Sequence, residues 1–555
     1  MKYLLFFLLA TAVLATQAQD ADIPAGHDLY HYLDRLDIRA YTGQVIDTDI
    51  KPYGRHRLSQ VFGQVDESLL SPSERGWHAR MRVFVDDSFA SQQAAKGLFN
   101  AFYRNGRDLY HVREPGFELY VNPVLHLAGG QDRTDFSGAD ENLALSHNSR
   151  GVVVRGSAFG KVGFYTEVYD NVTRVPRFLF QRYEQHLNLP GEGFVKRFGE
   201  ANGLDYFTSR AYVTYSPARQ VRIKFGKDRA FWGNGYHNLL LSDHANDYLL
   251  LTIHTRIWKL EYTNHFTQMI DFIRNRNDTE GTFPRKYAVF HQLSYKPNPK
   301  LSVGIFESIV YSPHLANGAR GFEIQYLNPI IFYRSVEQSL GSPDNSLLGL
   351  NFKYNLLNHV QVYGQLLVDD FNFGVRDQGS GYWGNKVGYQ AGLKYIDAFS
   401  ISTLDLQAEY NRIRPYTYQH FNVSANYLHY GQSLGHGDGA NLSDYHLILR
   451  YHPLPAWNLM LVYSSSLKGL DEGSINYGGD AEKSYVVGRP GDFDQVVAQG
   501  VPRQMDMLYG RLSFQLWNTD LFFDLEGRYR RENELSSTSV VAGMRLHFAP
   551  GRMRY

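Results

Sequence analysis

From about Gly116 onward, apolar and polar residues alternate along the chain with a period of two. One stretch sets an apolar series against a polar one: Leu404, Leu406, Ala408 and Tyr410 against Asp405, Gln407, Glu409 and Asn411. Residues 348–354 and 521–530 follow the same pattern. Because successive side chains of a strand point to opposite faces, the alternation predicts β-strands with one apolar and one polar face.

The connections between the predicted strands alternate between short and long, which favours a membrane barrel over a soluble sandwich. Short turns are predicted at residues 158–160, 217–220, 297–300, 355–359, 397–400, 453–456 and 518–520. Long polar segments lie between them, at residues 172–207, 229–247, 268–285, 371–385, 413–441 and 466–504. Outer-membrane barrels have short periplasmic turns and long extracellular loops, and we expect that orientation here.

The predicted strands add up to about eighteen. A first strand near Phe117–Leu127 precedes the seven hairpins, an eighth hairpin lies near Leu249–Phe266, and a last strand runs from Ser539 to Phe548. In this last strand we expect Arg545 and His547 to face inward and a set of apolar residues to face lipid: Val540, Ala542, Met544, Leu546 and Phe548.

A closed sheet pairs every backbone polar group, as a bilayer requires. We therefore predict an all-β transmembrane barrel of antiparallel strands over residues 113–548, followed by a short tail at residues 549–555.

Residues 19–112 follow a helical pattern instead. Leu29, Leu33 and Leu36 are spaced for one helix over residues 27–39, a second helix is predicted over residues 55–70, and Ser71 before Pro72 is a typical start for a third. Eighteen strands enclose a wide lumen. We therefore expect a small periplasmic helical module that plugs the barrel.

The first eighteen residues have the features of a cleaved secretory signal. Lys2 is followed by an apolar stretch over residues 3–14 and by Thr16-Gln17-Ala18, so cleavage is expected after Ala18. The chain contains no cysteine, which excludes disulfides, thiolate metal sites and a lipoprotein anchor. Its 56 basic and 56 acidic residues balance, so no nucleic-acid partner is expected.

Local motifs give no support for an enzyme, a metal or a cofactor. His27 and His31 stand four residues apart on a predicted helix, but the other residues of a zinc-protease motif are missing, so we interpret them as solvated surface residues. Trp232-Gly233-Asn234-Gly235 lacks the spacing of a phosphate loop. No paired-cysteine site is possible, because the chain contains no cysteine. We predict a protein without catalytic residues, metal or cofactor.

Aromatic residues in the long loops are the candidate ligand-binding groups. They make up 15% of the chain, and aromatic faces can pack on sugar rings while neighbouring polar groups bond to hydroxyls. The candidates are Trp232, Tyr236, Tyr333, Arg334, Tyr382, Trp383 and Tyr416, with Tyr418 beside the last. The alternative is that these rings form the aromatic girdle at the lipid headgroups or pack within the loops.

Several segments together resemble the capsule assembly Wzi family, including relatives that carry the gliding-motility name RemB. The segments are Arg150–Gly156, Phe225–Tyr236, Tyr326–Arg334, Asp344–Gly349 and Leu434–Gly437. The resemblance implies an eighteen-stranded outer-membrane barrel, closed at its periplasmic end by helices, whose outer face holds capsular polysaccharide. It assigns no binding residue to a position of this chain.

The leading functional hypothesis is a non-enzymatic, lectin-like outer-membrane barrel that binds capsular polysaccharide or exopolysaccharide. One alternative is a cell-surface component of gliding motility or of a secretion-linked assembly that contacts protein partners, which the sequence does not identify. Another is a diffusion porin. In each case the barrel wall is in contact with outer-membrane lipid.

Overall fold

A computed structural model of the chain describes most of the predicted barrel and helical module. The described residues are 21–41, 46, 48–92, 103, 107–136, 139–199, 202–272, 283–315, 318–319, 321–329, 344–372, 374–375, 381–517 and 519–548. The predicted signal at residues 1–18 and the tail at residues 549–555 lie outside them. So do Tyr333 and Arg334.

Eighteen antiparallel strands form a closed barrel, as predicted. In chain order, β1 to β18 are Phe117–Phe136, Ala139–Ala158, Val162–Arg174, Gly203–Ala218, Val221–Asp228, Tyr248–Ile257, Leu260–Ile270, Arg285–Asn298, Leu301–Tyr311, Asn345–Leu356, Val360–Asp370, Lys386–Tyr395, Leu404–Ile413, Leu442–Tyr451, Trp457–Leu470, Val501–Gln515, Leu521–Glu532 and Leu535–Leu546. The last strand pairs with the first, from Leu546 opposite Leu125 to Ser536 opposite Asp135. Every strand of the ring therefore has two neighbours.

Strand β10 shows how the alternating sequence forms the two faces of the wall. Leu348, Leu350 and Phe352 are exposed on the outside, whereas Asn351 and Lys353 are buried toward the lumen. A lipid-facing apolar surface and a polar interior are the expected arrangement for a barrel in a bilayer.

All seven predicted short turns join neighbouring strands at one end of the barrel, and the turn of the eighth predicted hairpin is there too, at Trp258 and Lys259. The long connections lie at the other end. Two strand pairs at that end are close in sequence, since Phe136 of β1 pairs with Ala139 of β2 and Glu532 of β17 pairs with Leu535 of β18. We call the two ends the short-turn end and the long-loop end.

Short strands also occur outside the ring. Tyr110–Glu114 pairs with the start of β1, and Val195–Arg197 pairs with β4. The remaining short strands are Ile50–Lys51, Phe231–Trp232, His314–Leu315, Gly318–Ala319, Leu428–His429 and Gln432–Ser433.

The prediction for Phe548 was wrong. The strand ends at Leu546, and His547 has a positive φ of 50°, which breaks the alternation. The Phe548 ring lies 4.7 Å from that of His126 and 5.5 Å from that of Tyr169, two side chains of the barrel interior. Arg545 does face inward and is buried, while Val540 is 54% exposed on the outside.

The N-terminal helices are α1, Leu29–Arg39; α2, Arg55–Gly63; α3, Pro72–Val85; and α4, Asp87–Gln92. The second is shorter than predicted, because the helix ends at Gly63 and a 3-10 turn follows at Glu67–Leu69. Ser71 and Glu74 form the capping box that starts α3. A further helix, α5, Arg177–His186, lies at the long-loop end. None of the described helices combines the length and apolar character needed to cross a membrane.

The N-terminal helices contact the barrel at its short-turn end through buried ion pairs. Arg35 of α1 is 1% exposed and binds Glu74 of α3 together with Asp405 of β13 and Asp397 of the preceding turn. Three aspartates of this region each bind a lysine of the wall: Asp22 with Lys224 at 2.8 Å, Asp34 with Lys394 at 2.7 Å, and Asp37 with Lys353 at 2.7 Å. His31 bonds to Asp405 at 2.8 Å, so it is not the solvated residue we expected.

The lumen is also occupied from the long-loop end. The connection of residues 229–247 folds inward, and its strand Phe231–Trp232 pairs with Ile50–Lys51 of the N-terminal region. Leu239, Leu240 and Leu241 of this connection are fully buried in the main apolar core. The N-terminal region, which enters from the short-turn end, and the inward connection, which enters from the long-loop end, therefore meet inside the barrel.

We expect Arg35→Met to destabilise the attachment of the helices by about 3–5 kcal/mol, because it leaves buried carboxylates without their cation. Thermal unfolding and limited proteolysis of the detergent-solubilised protein measure this. Arg75→Met, at an exposed position of the neighbouring helix α3, is the control. Equal stability of the two variants would contradict the role assigned to Arg35.

A second prediction concerns pH. Burial raises the pKa of Asp28, but the charges of Arg511 at 3.0 Å and Arg545 at 3.9 Å lower it by more. The pKa of Asp28 therefore lies below its usual range. A carboxyl with a lowered pKa stabilises the fold above its ordinary pKa of about 4, and this stabilisation is lost as the pH falls. Asp28→Asn should therefore be less stable than the wild type at neutral pH, and the difference should close in acid. A constant difference in melting temperature across this range would contradict the ion pair's role.

Candidate functional site

At the long-loop end, three of the described connections pack on one another, and one of them folds into the lumen. The loop of residues 414–441 packs on the inward connection of residues 229–247: Ser242 N donates to Leu434 O at 2.7 Å, and Tyr418 Oη donates to Leu239 O at 2.9 Å. The loop of residues 471–500 lies against the loop of residues 414–441, since Tyr416 N donates to Gly478 O. These loops hold one another in place.

Trp232 and Tyr236 lie in the predicted long connection, but the inward fold buries both. Trp232 is 1% exposed, and its ring packs edge-on against Phe290 and Phe306 of the wall. Tyr236 N donates to Glu409 of β13 at 2.6 Å. In this arrangement, neither ring is open to a ligand outside the barrel.

The glycines of Trp232-Gly233-Asn234-Gly235 have a packing role here. A Cβ on Gly235 would lie 2.5 Å from the His237 carbonyl oxygen and 2.6 Å from a Glu409 carboxylate oxygen. This segment needs small residues because it passes close to the wall.

Tyr416 is also buried, beneath the loop of residues 471–500. Its hydroxyl donates to Asn476 O at 2.9 Å and lies 3.1 Å from Gln495 Oε1. Its ring meets that of Trp383 edge-on at 6.2 Å. Tyr416 therefore supports a layer of residues that lies further out.

That outer layer is a group of rings with one guanidinium, which we call the aromatic surface. It is built from three long connections that precede β12, follow β13 and follow β15. Its members are Tyr382, Trp383, Phe421, Tyr485, Arg489 and Phe493.

Trp383 is at the centre of the aromatic surface. Its backbone N–H donates to Asp492 O at 2.9 Å. Its ring lies 4.9 Å from the Tyr485 ring, and the Arg489 guanidinium carbon is 4.0 Å from its centroid. Contact with a guanidinium and with a second ring fixes the orientation of the indole.

The edges of the aromatic surface are open to solvent. Phe421 is 47% exposed and Phe493 is 48% exposed. The Phe493 ring lies 5.7 Å from that of Tyr382, which is half-buried with Trp383. A group of aromatic rings with exposed members is unusual on a protein face that contacts only water.

The titratable groups in and beside the aromatic surface are either uncharged or paired with an opposite charge. Burial, assisted by the charge of Lys386, lowers the pKa of His420 to about 4, and burial raises the pKa of Tyr485. Both groups are therefore uncharged at neutral pH. Arg489 pairs with exposed Asp492 at 2.8 Å, and Lys483 pairs with Asp471 at 2.6 Å.

The structure thus brings three predicted residues together, namely Tyr382, Trp383 and the buried Tyr416, and it separates them from Trp232 and Tyr236. It adds Phe421, Tyr485, Arg489 and Phe493, which the sequence analysis missed. All four lie in predicted long loops, so aromatic content in those loops was an available signal. Which rings meet depends on contacts between loops.

These features define a closed β-barrel of the outer-membrane type, with helices and loops in its lumen and an aromatic surface at the long-loop end. The sequence profile of the family described as capsule assembly protein Wzi matches residues 144–522. This match covers more than half of the chain and includes most of the barrel. The chain belongs to the capsule assembly protein Wzi family.

One solved structure agrees with the fold, and two others have lower similarity. The Wzi protein of Escherichia coli, a carbohydrate-binding β-barrel of the outer membrane involved in group 1 capsule assembly, superposes with a TM-score of 0.56 at 14% identity, over 95% of this chain and 99% of that one. OprD of Pseudomonas aeruginosa gives a TM-score of 0.41 at 11% identity, over 77% of this chain and 94% of that one. OprE of the same organism gives 0.40 at 11% identity, over 77% and 98%. A sequence comparison with curated proteins gives no match.

Tyr416→Phe should loosen the loop of residues 471–500. The change removes the hydroxyl but keeps the ring, and a buried carbonyl that loses its donor costs about 1–3 kcal/mol. Hydrogen exchange of peptides from residues 471–500 should become faster, while exchange of the strand amides stays unchanged. Tyr445→Phe, at an exposed tyrosine of β14, is the matched control. Unchanged exchange in the loop would contradict the supporting role of Tyr416.

Proposed function

We propose that this protein binds capsular polysaccharide or a related exopolysaccharide on the aromatic surface and does so without catalysis. The observation that carries the proposal is a solvent-open set of rings at the long-loop end of a Wzi-family barrel. The proposed location is the outer membrane, with the short turns and N-terminal helices in the periplasm and the long loops outside the cell.

The chemistry of the aromatic surface suits a sugar polymer. An aromatic face carries partial negative charge and attracts the C–H groups on the flat side of a sugar ring. Arg489 and Asp492 supply a donor and an acceptor for hydroxyl or carboxylate groups beside Trp383. A polymer that repeats the same unit meets several such rings at once, and its avidity then exceeds the affinity of any one contact.

The occupied lumen supports a binding role rather than diffusion. An eighteen-stranded barrel is wide enough for an aqueous channel when it is empty. Here the strand Ile50–Lys51 from the N-terminal region pairs with Phe231–Trp232 from the inward connection. A permeant molecule would have to displace this pairing and the apolar core around it. We therefore propose that the helical module of residues 19–112 acts as a plug.

The proposal is tested with the variant Trp383→Ala combined with Tyr485→Ala. Binding of the detergent-solubilised protein to purified capsule or exopolysaccharide of its own host should weaken at least about tenfold, which corresponds to about 1.4 kcal/mol for the two lost faces. Trp258→Ala is the matched control, because Trp258 is 73% exposed at the opposite end. The dissociation constant of the purified protein for the polysaccharide is one measurement. The amount of capsule retained at the surface of a complemented deletion strain is a second, independent one.

Wild-type protein that binds no polysaccharide, in a strain whose capsule is unaffected by the deletion, would refute the proposal. Recovery of a specific protein partner by the wild type but not by the double variant would instead support the gliding or secretion-linked alternative. Equal loss in Trp258→Ala would show that the aromatic surface is not the binding site.

A further inference from the structure

Three histidines from three different structural elements converge inside the barrel. His237 belongs to the inward connection of residues 229–247, His436 to the loop of residues 414–441, and His446 to β14. All three are buried, and their potential ligand atoms lie within 4.8 Å of one another. The His237 ring centroid is 4.6 Å from that of His436 and 4.4 Å from that of His446.

Asp444 points into the same cluster from β14. Its Oδ2 is 3.0 Å from His436 Nε2, and its Oδ1 is 3.2 Å from His446 Nε2. Neither of these two buried nitrogens forms a hydrogen bond of good geometry. In a tetrahedral zinc site, with ligand distances of about 2.0–2.2 Å, neighbouring donor atoms lie about 3.3–3.6 Å apart. The two His–Asp separations are slightly shorter than this, so small shifts would let these atoms share one ion.

The negative charge of Asp444 also favours a bound cation at this cluster. Asn411 donates to both Asp444 Oδ1 at 2.9 Å and Glu409 Oε1 at 3.2 Å, so two buried carboxylates lie side by side. Among the described residues, neither carboxylate has a lysine or arginine within ion-pair distance. Glu409 is balanced by hydrogen bonds from Tyr236 N and His237 N, whereas the charge of Asp444 depends on the two histidines or on a bound ion.

We propose that His237, His436, His446 and Asp444 bind one divalent transition-metal ion, for which zinc is the best match. Three imidazoles and one carboxylate are ligands that zinc takes in tetrahedral geometry, whereas calcium and magnesium require mostly oxygen ligands. The ion would offset the charge of Asp444.

The surroundings orient the proposed ligands. His446 Nδ1 lies 2.8 Å from Ser464 Oγ, which leaves Nε2 directed at the cluster. Glu409 accepts a hydrogen bond from His237 N at 2.8 Å and so holds the inward connection next to β13. Partners of this kind fix the orientation of a metal-bound imidazole. The bound ion would tie two long-loop connections to the wall.

A hydrogen-bonded network without metal is the competing explanation. His436 Nδ1 lies 3.3 Å from the Asp438 backbone nitrogen and accepts its hydrogen bond, so a neutral His436 would carry its proton on Nε2, facing Asp444. In that case the cluster binds no ion, and chelators have no effect on the protein. Metal content and chelator sensitivity distinguish the two explanations.

The test uses the full chain without a histidine tag, purified in detergent. Elemental analysis should find about one transition-metal ion per chain, and EDTA should remove it and lower the melting temperature, which zinc then restores. Cobalt added to the stripped protein should give the visible absorption of a tetrahedral site.

The variants His446→Gln and Asp444→Asn should reduce zinc affinity at least roughly tenfold. His265→Gln is the control, because His265 is also buried and faces the lumen, where it contacts Thr252 at 2.7 Å. If the cluster variants do not fold, the chelator and zinc measurements on the wild type decide the question. A stripped wild type that binds neither zinc nor cobalt, or equal loss in His265→Gln, would overturn the proposal.

Discussion

The pairing of buried charge inside the barrel is the constraint on which the rest of this structure depends. A strand in a bilayer that is apolar on its outer face turns its polar residues to the lumen. Where the lumen is dry, each ionised side chain needs a partner of opposite charge or several hydrogen bonds. Lys353 meets Asp37 and Lys394 meets Asp34 because the N-terminal region carries the charges that the wall lacks.

The same constraint extends to the long-loop end. Glu409 of the wall is satisfied by backbone N–H groups of Tyr236 and His237, so a loop rather than water completes its bonding. The inward connection then supports the loop of residues 414–441, whose Tyr416 holds the loop of residues 471–500. The position of Trp383 is thus set by a series of contacts that begins at the wall. The filling of the lumen and the shape of the outer face are two results of one packing problem.

Local sequence patterns were sufficient for the wall and insufficient for its contents. Alternation and turn residues depend on neighbours a few positions apart, and they predicted the number of strands and the short turns that join them. The helical spacing of Leu29, Leu33 and Leu36 likewise predicted α1. These three leucines lie in the buried apolar cluster of the N-terminal region. The error at Phe548 arose because one residue with positive φ reverses the side-chain order after the last strand.

Long-range contacts account for the failures at the candidate sites. Trp232 was placed in the correct connection, but nothing in its neighbourhood shows that this connection folds inward and buries the ring. His237, His436 and His446 have no metal-binding spacing, because three separate segments bring them together. A search for local motifs therefore detects neither a buried packing role nor a site assembled across the lumen.

Rigidity explains why a binding surface would be placed on such a heavily supported base. Weak contacts to a flexible polymer already require the polymer to lose conformational freedom, so mobile loops would add a second entropic cost. Trp383 avoids that cost, since the Asp492 carbonyl, Tyr485 and Arg489 hold it from different sides. For the proposed binding function, the filled lumen would provide the preorganised support that several weak contacts need in order to act together.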